Sequence, residues 1–147
     1  MSHRTPIAVR RTALVALLAG ALTFAGAAVA KAPTTVVKAG TVSGKRIVVN
    51  AKGLTLYRLK PETTKRVLCT AGCLGPWPPL TVPSAKTKIV AGKGVKGKLT
   101  IFRSGGKFRV ALRGYPLYTF TGDSSRGTAA GNGLQSFGGT WLVVSAK

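Results

Sequence analysis

The residues able to do chemistry in this chain are few. Cys69 and Cys73 are the only cysteines, Glu62 and Asp123 the only acids, and His3 the only histidine among 147 residues. A Ser-His-Asp or Cys-His arrangement, or a zinc or copper site with imidazole ligands, would have to draw on His3 at the extreme N-terminus. Two carboxylates are too few for the oxygen cage that calcium or magnesium needs. The shortage of histidine also speaks against haem on a conventional site, so no cofactor and no metal are expected. Most enzyme classes lose their usual proton-transfer group here, and we expect no enzyme.

What remains is open to two readings at each place. Three residues separate Cys69 from Cys73, and Gly72 lets so short a loop close. In an oxidising compartment an even pair forms a structural disulfide. The sharper reading is a redox-active dithiol with a thiol pKa lowered by Lys65 and Arg66, but catalytic pairs have two intervening residues and a βαβ setting that is missing here. Glu62 and Asp123 could be an acid–base pair acting on a glycan, or each could cap the turn leaving its strand by accepting backbone N–H bonds. Tyr57, Trp77, Tyr118, Phe120 and Trp141 could form a stacking surface for sugars or bases, or pack the core. Trp77 is the best candidate for exposure, because Trp77-Pro78-Pro79 reads as a loop.

Charge is the strongest compositional signal. Against the two acids stand 23 Lys plus Arg, a formal net charge of +21. With 45% apolar residues and a mean hydropathy of +0.22, this is a folding chain and not a disordered polybasic tail. Such a field attracts polyanions, and outside a cell these are anionic cell-wall polymers or lipid head groups, with no specific nucleic acid expected. The competing reading is a merely soluble basic surface.

The N-terminus supplies the reason to place it outside. Arg4, Arg10 and Arg11 precede the uncharged, apolar run from Thr12 to Ala30, which closes on Ala28-Val29-Ala30. Positive start, apolar middle and small-x-small end form a secretory signal peptide over 1–30; an uncleaved anchor is the alternative. Arg10-Arg11 invites a twin-arginine route, although Val9 and Ala13 match that pattern poorly, and the general secretory route stays open beside it. No cysteine lies near the cleavage site for lipid attachment. Cleavage would remove three basic residues and no acid, take +21 to +18, discard His3 and leave no membrane span.

The elements that must position these residues repeat. At an offset of 61 residues, Lys52-Gly53-Leu54-Thr55-Leu56-Tyr57-Arg58-Leu59 aligns with Arg113-Gly114-Tyr115-Pro116-Leu117-Tyr118-Thr119-Phe120, Glu62 meets Asp123, and after a short slip Trp77 answers Trp141. We read β repeat 1 over 41–82 and β repeat 2 over 102–147. Between them, 83–101 is a connection and strand carrying Lys86, Lys88, Lys93, Lys96 and Lys98, the candidate polyanion-binding residues. Residues 31–40 are a linker or an edge strand. Arg46 to Asn50 is β-branched, Asn50 to Gly53 suits a type I turn, and Leu54 to Leu59 alternates. Leu99 to Leu112 folds back around Ser104-Gly105-Gly106. No helical period appears beyond the signal. The expected fold is all-β: two pseudo-symmetric antiparallel repeats sharing one core, as a small sandwich or barrel, since a 40-residue unit cannot bury enough alone.

Tyr118-Thr119-Phe120-Thr121-Gly122-Asp123 fits Tyr-x-aromatic-x-x-Asp, with Gly114-Tyr115-Pro116-Leu117 before it and Gly138-Gly139-Thr140-Trp141 after it. With Cys69, Cys73 and Trp77-Pro78-Pro79-Leu80, the chain resembles the bacterial family of secreted repeat proteins and predicted lipoproteins bearing that motif, over about residues 45–145. The resemblance implies an exported, noncatalytic domain, secreted or associated with the cell envelope, and names no substrate. The first copy departs from the motif at Leu59 and Glu62. Arg109 stands where Gln is common in the family. An exported thiol–disulfide or electron-transfer accessory built on Cys69 and Cys73 is the alternative function; neither oligomeric state nor partner follows from the residues.

Overall fold

Short β-branched runs separated by glycine-containing pairs make this chain a succession of hairpins. The computed structural model describes residues 34–147, so the signal-peptide reading of 1–30 lies outside the described residues. Its strands are β1 (Thr34–Val42), β2 (Lys45–Asn50), β3 (Tyr57–Lys60), β4 (Thr81–Val82), β5 (Ile89–Ala91), β6 (Leu99–Ser104), β7 (Lys107–Leu112), β8 (Tyr115–Pro116), β9 (Gln135–Ser136) and β10 (Gly139–Val143). A 3-10 turn spans Ala71–Leu74, and no α-helix occurs among the described residues.

Two-residue turns join β1 to β2, β6 to β7, β7 to β8 and β9 to β10. Their central pairs are Ser43-Gly44, Gly105-Gly106, Arg113-Gly114 and Phe137-Gly138, all at positive φ. That is the turn whose twist matches the strands it joins. Glycine takes the second place each time, where a Cβ would be strained.

The strands form three sheets, ordered β2-β1-β5, β3-β10-β9 and β4-β7-β6, with β8 added to β7. They pack together without closing a barrel. The expected hairpin at β6/β7 is present, and Asn50 makes its turn, its side chain accepting the N–H groups of Lys52 and Leu54. Residues 34–42, read in part as a linker or edge strand, instead form the middle strand of their sheet. β1 pairs antiparallel with β2 and parallel with β5. Strands of the two sequence repeats are also interleaved: β3 pairs with β10, and β4 with β7.

The interior is likewise built jointly by the two repeats, as expected, from an aliphatic and an aromatic cluster. An aliphatic cluster gathers Val36, Val37, Val48 and Leu56 with Val110, Leu112, Leu117 and Val144. An aromatic cluster gathers Tyr57, Leu59 and Trp77 with Tyr118 and Trp141, beside both cysteines. The 54–59 segment runs between the two. Leu56 enters the first cluster while Tyr57 and Leu59 enter the second, so the expected alternation of this run is kept with both faces covered: Thr55, Leu56 and Tyr57 are all buried.

Candidate functional site

The aligned tyrosines lie against each other. The Tyr57 N–H donates to the Tyr118 carbonyl at 2.8 Å, and the Tyr118 N–H returns the bond to the Tyr57 carbonyl at 3.0 Å. Their hydroxyls then cross over. Tyr57 Oη donates to Asp123 Oδ2 at 2.7 Å, and Tyr118 Oη to Glu62 Oε1 at 2.9 Å. Each tyrosine therefore bonds the acid of the other aligned segment.

The acids also gather backbone donors, though farther along the chain than a cap of the adjacent turn. Glu62 Oε1 accepts the N–H groups of Leu68 at 2.9 Å and Cys69 at 3.1 Å; Asp123 Oδ1 accepts that of Ala130 at 2.8 Å. Glu62 is fully buried and Asp123 is 8% exposed. Both carboxylates are thus committed inward, closing loops, and neither is offered to an external glycan.

Arg109 on β7 completes this interior. It is 1% exposed, and its Nη1 donates to the Cys69 carbonyl at 3.3 Å and to Tyr118 Oη at 3.4 Å. Glu62 Oε2 and Arg109 Nε are buried without a partner. Burial pushes the Glu62 carboxyl above its ordinary value, against the pull of the Cys69 and Leu68 N–H groups, the Tyr118 hydroxyl and the Arg109 charge. Burial, reinforced by Asp123 at Tyr57 and by Glu62 at Tyr118, also raises both phenols, which therefore stay protonated donors at neutral pH.

A pH dependence follows from Glu62. With its folded value raised, the native state keeps a proton that the unfolded chain releases above the ordinary 4.5. That contribution to stability is complete below 4.5 and is lost as pH rises through the folded value. Glu62→Gln retains the carbonyl acceptor and cannot ionise. Urea midpoints measured from pH 4.5 to 7 are expected to move progressively in favour of the variant, and a difference that moves toward the wild type would contradict the assignment.

The aromatics are interior, which corrects two expectations at once. Trp77 is only 2% exposed despite its proline-rich surroundings. It stacks on Trp141 at 3.7 Å between ring centroids and on Phe120 at 4.3 Å, with Tyr57 edge-on at 5.3 Å. No open stacking surface is made by Tyr57, Trp77, Tyr118 and Trp141; Phe120 alone is half-buried. The Trp77 N–H donates to the Cys73 carbonyl at 3.0 Å, while Pro78 and Pro79 lie partly buried beside Tyr118 and Thr119. Gly139 lets β10 pass the Lys60 carbonyl where a Cβ would not fit, accounting for the second glycine before Trp141.

Cys69 and Cys73 are joined, with Cα atoms 5.3 Å apart, and both are buried. Lys65 and Arg66 are exposed. No set of three or more His, Cys, Asp or Glu residues capable of holding a metal occurs among the described residues.

The exterior is the electrostatic opposite of the interior. Apart from buried Arg109 and half-buried Arg58, every Lys and Arg among the described residues is exposed, including Lys86, Lys88, Lys93, Lys96 and Lys98. The glycines of the connection let arginines lie over it: Arg46 crosses Gly94, and Arg113 crosses Gly97. Arg113 also donates to the carbonyls of Ser145, Lys96 and Lys147, and the Lys96 N–H donates to the Ala146 carbonyl, tying the connection to the chain beyond β10. Arg109, Arg58, Tyr115 and Asn132 were not singled out as site residues from sequence. The basic substitution at Arg109 was the one visible signal among them.

Residues 99–145 match the model of a family described as a secreted repeat of unknown function. The matched stretch holds β6 to β10, with Arg109, Tyr118, Asp123 and Trp141. No curated protein and no solved structure matches the chain. No helix among the described residues is long and apolar enough to cross a membrane.

Proposed function

We propose that this chain is an exported, noncatalytic domain that holds anionic surface polymer of the cell envelope through its cationic exterior. The likeness of residues 99–145 to a secreted repeat supports the location. The observation that carries the binding is the segregation of charge: both acidic side chains are spent inside, so no Asp or Glu neutralises the exposed lysines of 86–98 or the arginines laid over them. An opposite-charge polymer gains from many such cations at once, because each contact releases counterions. The buried disulfide gives no support to thiol exchange as the role of Cys69 and Cys73.

Retention of the purified chain on a resin bearing wall polymer tests this. At roughly physiological salt, where screening acts over about 8 Å, the chain is expected to stay bound and to elute only as salt is raised well beyond that. Elution at or below physiological salt would remove the binding function.

A further inference from the structure

Beside β3 and β10 lies a cleft of about 370 Å³ whose lining includes Arg58, Arg113, Tyr115, Asn132, Val143 and Ser145. Arg58 lies over the ring of Tyr115 there, its guanidinium carbon 4.5 Å from the ring centroid. No described residue accepts a hydrogen bond from its side chain, so stacking fixes the fork while leaving its donors available. Arg113, by contrast, is occupied with carbonyls and braces the wall. Asn132 Oδ1 accepts the Val143 N–H at 3.0 Å, which leaves its amide NH₂, a double donor, for the cleft it lines.

The lining is therefore cationic and rich in donors, and contains no carboxylate side chain. It continues. A second cleft of about 550 Å³ shares Val143 and Ser145 with the first and adds Lys45, Arg46 and Lys147. A single anion would need only the first pocket; successive cations along a shared wall suit anions spaced along a chain. A preorganised guanidinium fork matches the oxygens of a phosphate better than a point charge does.

We infer that the Arg58–Tyr115–Asn132 cleft seats a phosphate of a phosphodiester polymer, whose neighbouring phosphate lies along Lys45 and Arg46. This rests on the polyanion reading above and assigns it a site and a ligand chemistry. Phosphodiesters also occur in lipid head groups, and the test separates the two sources.

The purified chain, labelled with ¹⁵N, is titrated at physiological salt with a short glycerol phosphate oligomer and, in parallel, with phosphatidylglycerol vesicles. Amide shifts are expected to concentrate at Tyr115, Asn132 and Ser145. Arg58→Lys keeps the net charge but loses fork and stacking, and is expected to weaken oligomer binding about tenfold or more. Lys86→Ala with Lys88→Ala removes two distant charges and should weaken it by only about two- to fourfold. If Arg58→Lys binds as wild type and the shifts scatter over 86–98, the cleft is overturned while the polyanion reading stands. No binding of the wild type to either probe overturns both. Binding to vesicles without binding to the oligomer overturns the polymer assignment in favour of a lipid.

Discussion

Trp141→Ala is expected to cost about 3–5 kcal/mol, near the upper end for truncating one side chain. The reason lies in how many partners share that ring. Trp141 is fully buried, stacks on Trp77 at 3.7 Å, meets Tyr118 edge-on at 5.2 Å, and donates through Nε1 to Ser136 Oγ at 3.0 Å. Its backbone pairs β10 with β3 opposite Leu59. The surrounding strands cannot collapse into the vacated space without losing register, so much of it would remain a cavity. Against a whole stability of about 5–15 kcal/mol for a domain, a loss of this size leaves little reserve. Urea unfolding followed by far-ultraviolet circular dichroism measures it, and Phe137→Ala, at an exposed turn position, should stay within about 0.5 kcal/mol of wild type. A loss below about 1 kcal/mol at Trp141 would return these aromatics to the role of an open stacking surface.

Arg109→Leu should be comparably severe, at about 3–5 kcal/mol, through a different cause. The substitution keeps an apolar stem but removes a buried guanidinium whose charge acts on Glu62 and which donates to the Cys69 carbonyl and Tyr118 Oη. Glu62 would then lose the nearby charge that offsets its burial, so ionising it in that interior would cost more, with Oε2 still unpartnered. The loss should shrink as pH falls toward 4.5, because the carboxyl can take up a proton and shed the charge. Adding Glu62→Gln should restore part of the stability at pH 7. Unfolding of the wild type, both single variants and the double variant gives the coupling directly, and strict additivity would show that the two residues do not sense each other.

The β6/β7 hairpin was legible because its signal is local: an alternating apolar run on either side of a two-glycine turn. Asn50 to Gly53 and the turn at Gly105-Gly106 needed no tertiary information. The central place of Thr34–Val42 did not follow from its residues, since it depends on β5 returning parallel to it some fifty residues later. The burial of Trp77 was hidden from the sequence for a related reason. Proline marks a loop, and loops usually lie outside, but the Cys69–Cys73 loop and the Trp141 face cover this one.

The offset of 61 residues brought Tyr57 to Tyr118 and Glu62 to Asp123, so both phenols and both acids of the buried network were legible from the repeat, while the burial of Arg109 was not. The crossing of its bonds was not. Within each segment a tyrosine precedes an acid by five residues, which suggests a local partnership; the tyrosines instead pair backbone to backbone, which turns each hydroxyl toward the other segment's acid. Of the surface, the lysines were plain from composition. The Arg58–Tyr115 stack was not, because it joins side chains of β3 and β8.

Inward acids and outward cations stand or fall on the salt dependence of polymer binding. The affinity of the purified chain for a fluorescent glycerol phosphate polymer, measured over a salt series, is expected to give a log–log line of steep negative slope. Replacing Lys93, Lys96 and Lys98 by Gln should flatten that slope by about two, at roughly 0.7 per neutralised phosphate on a single-stranded polyanion. An affinity indifferent to salt, or a slope unchanged in the triple variant, would contradict the account.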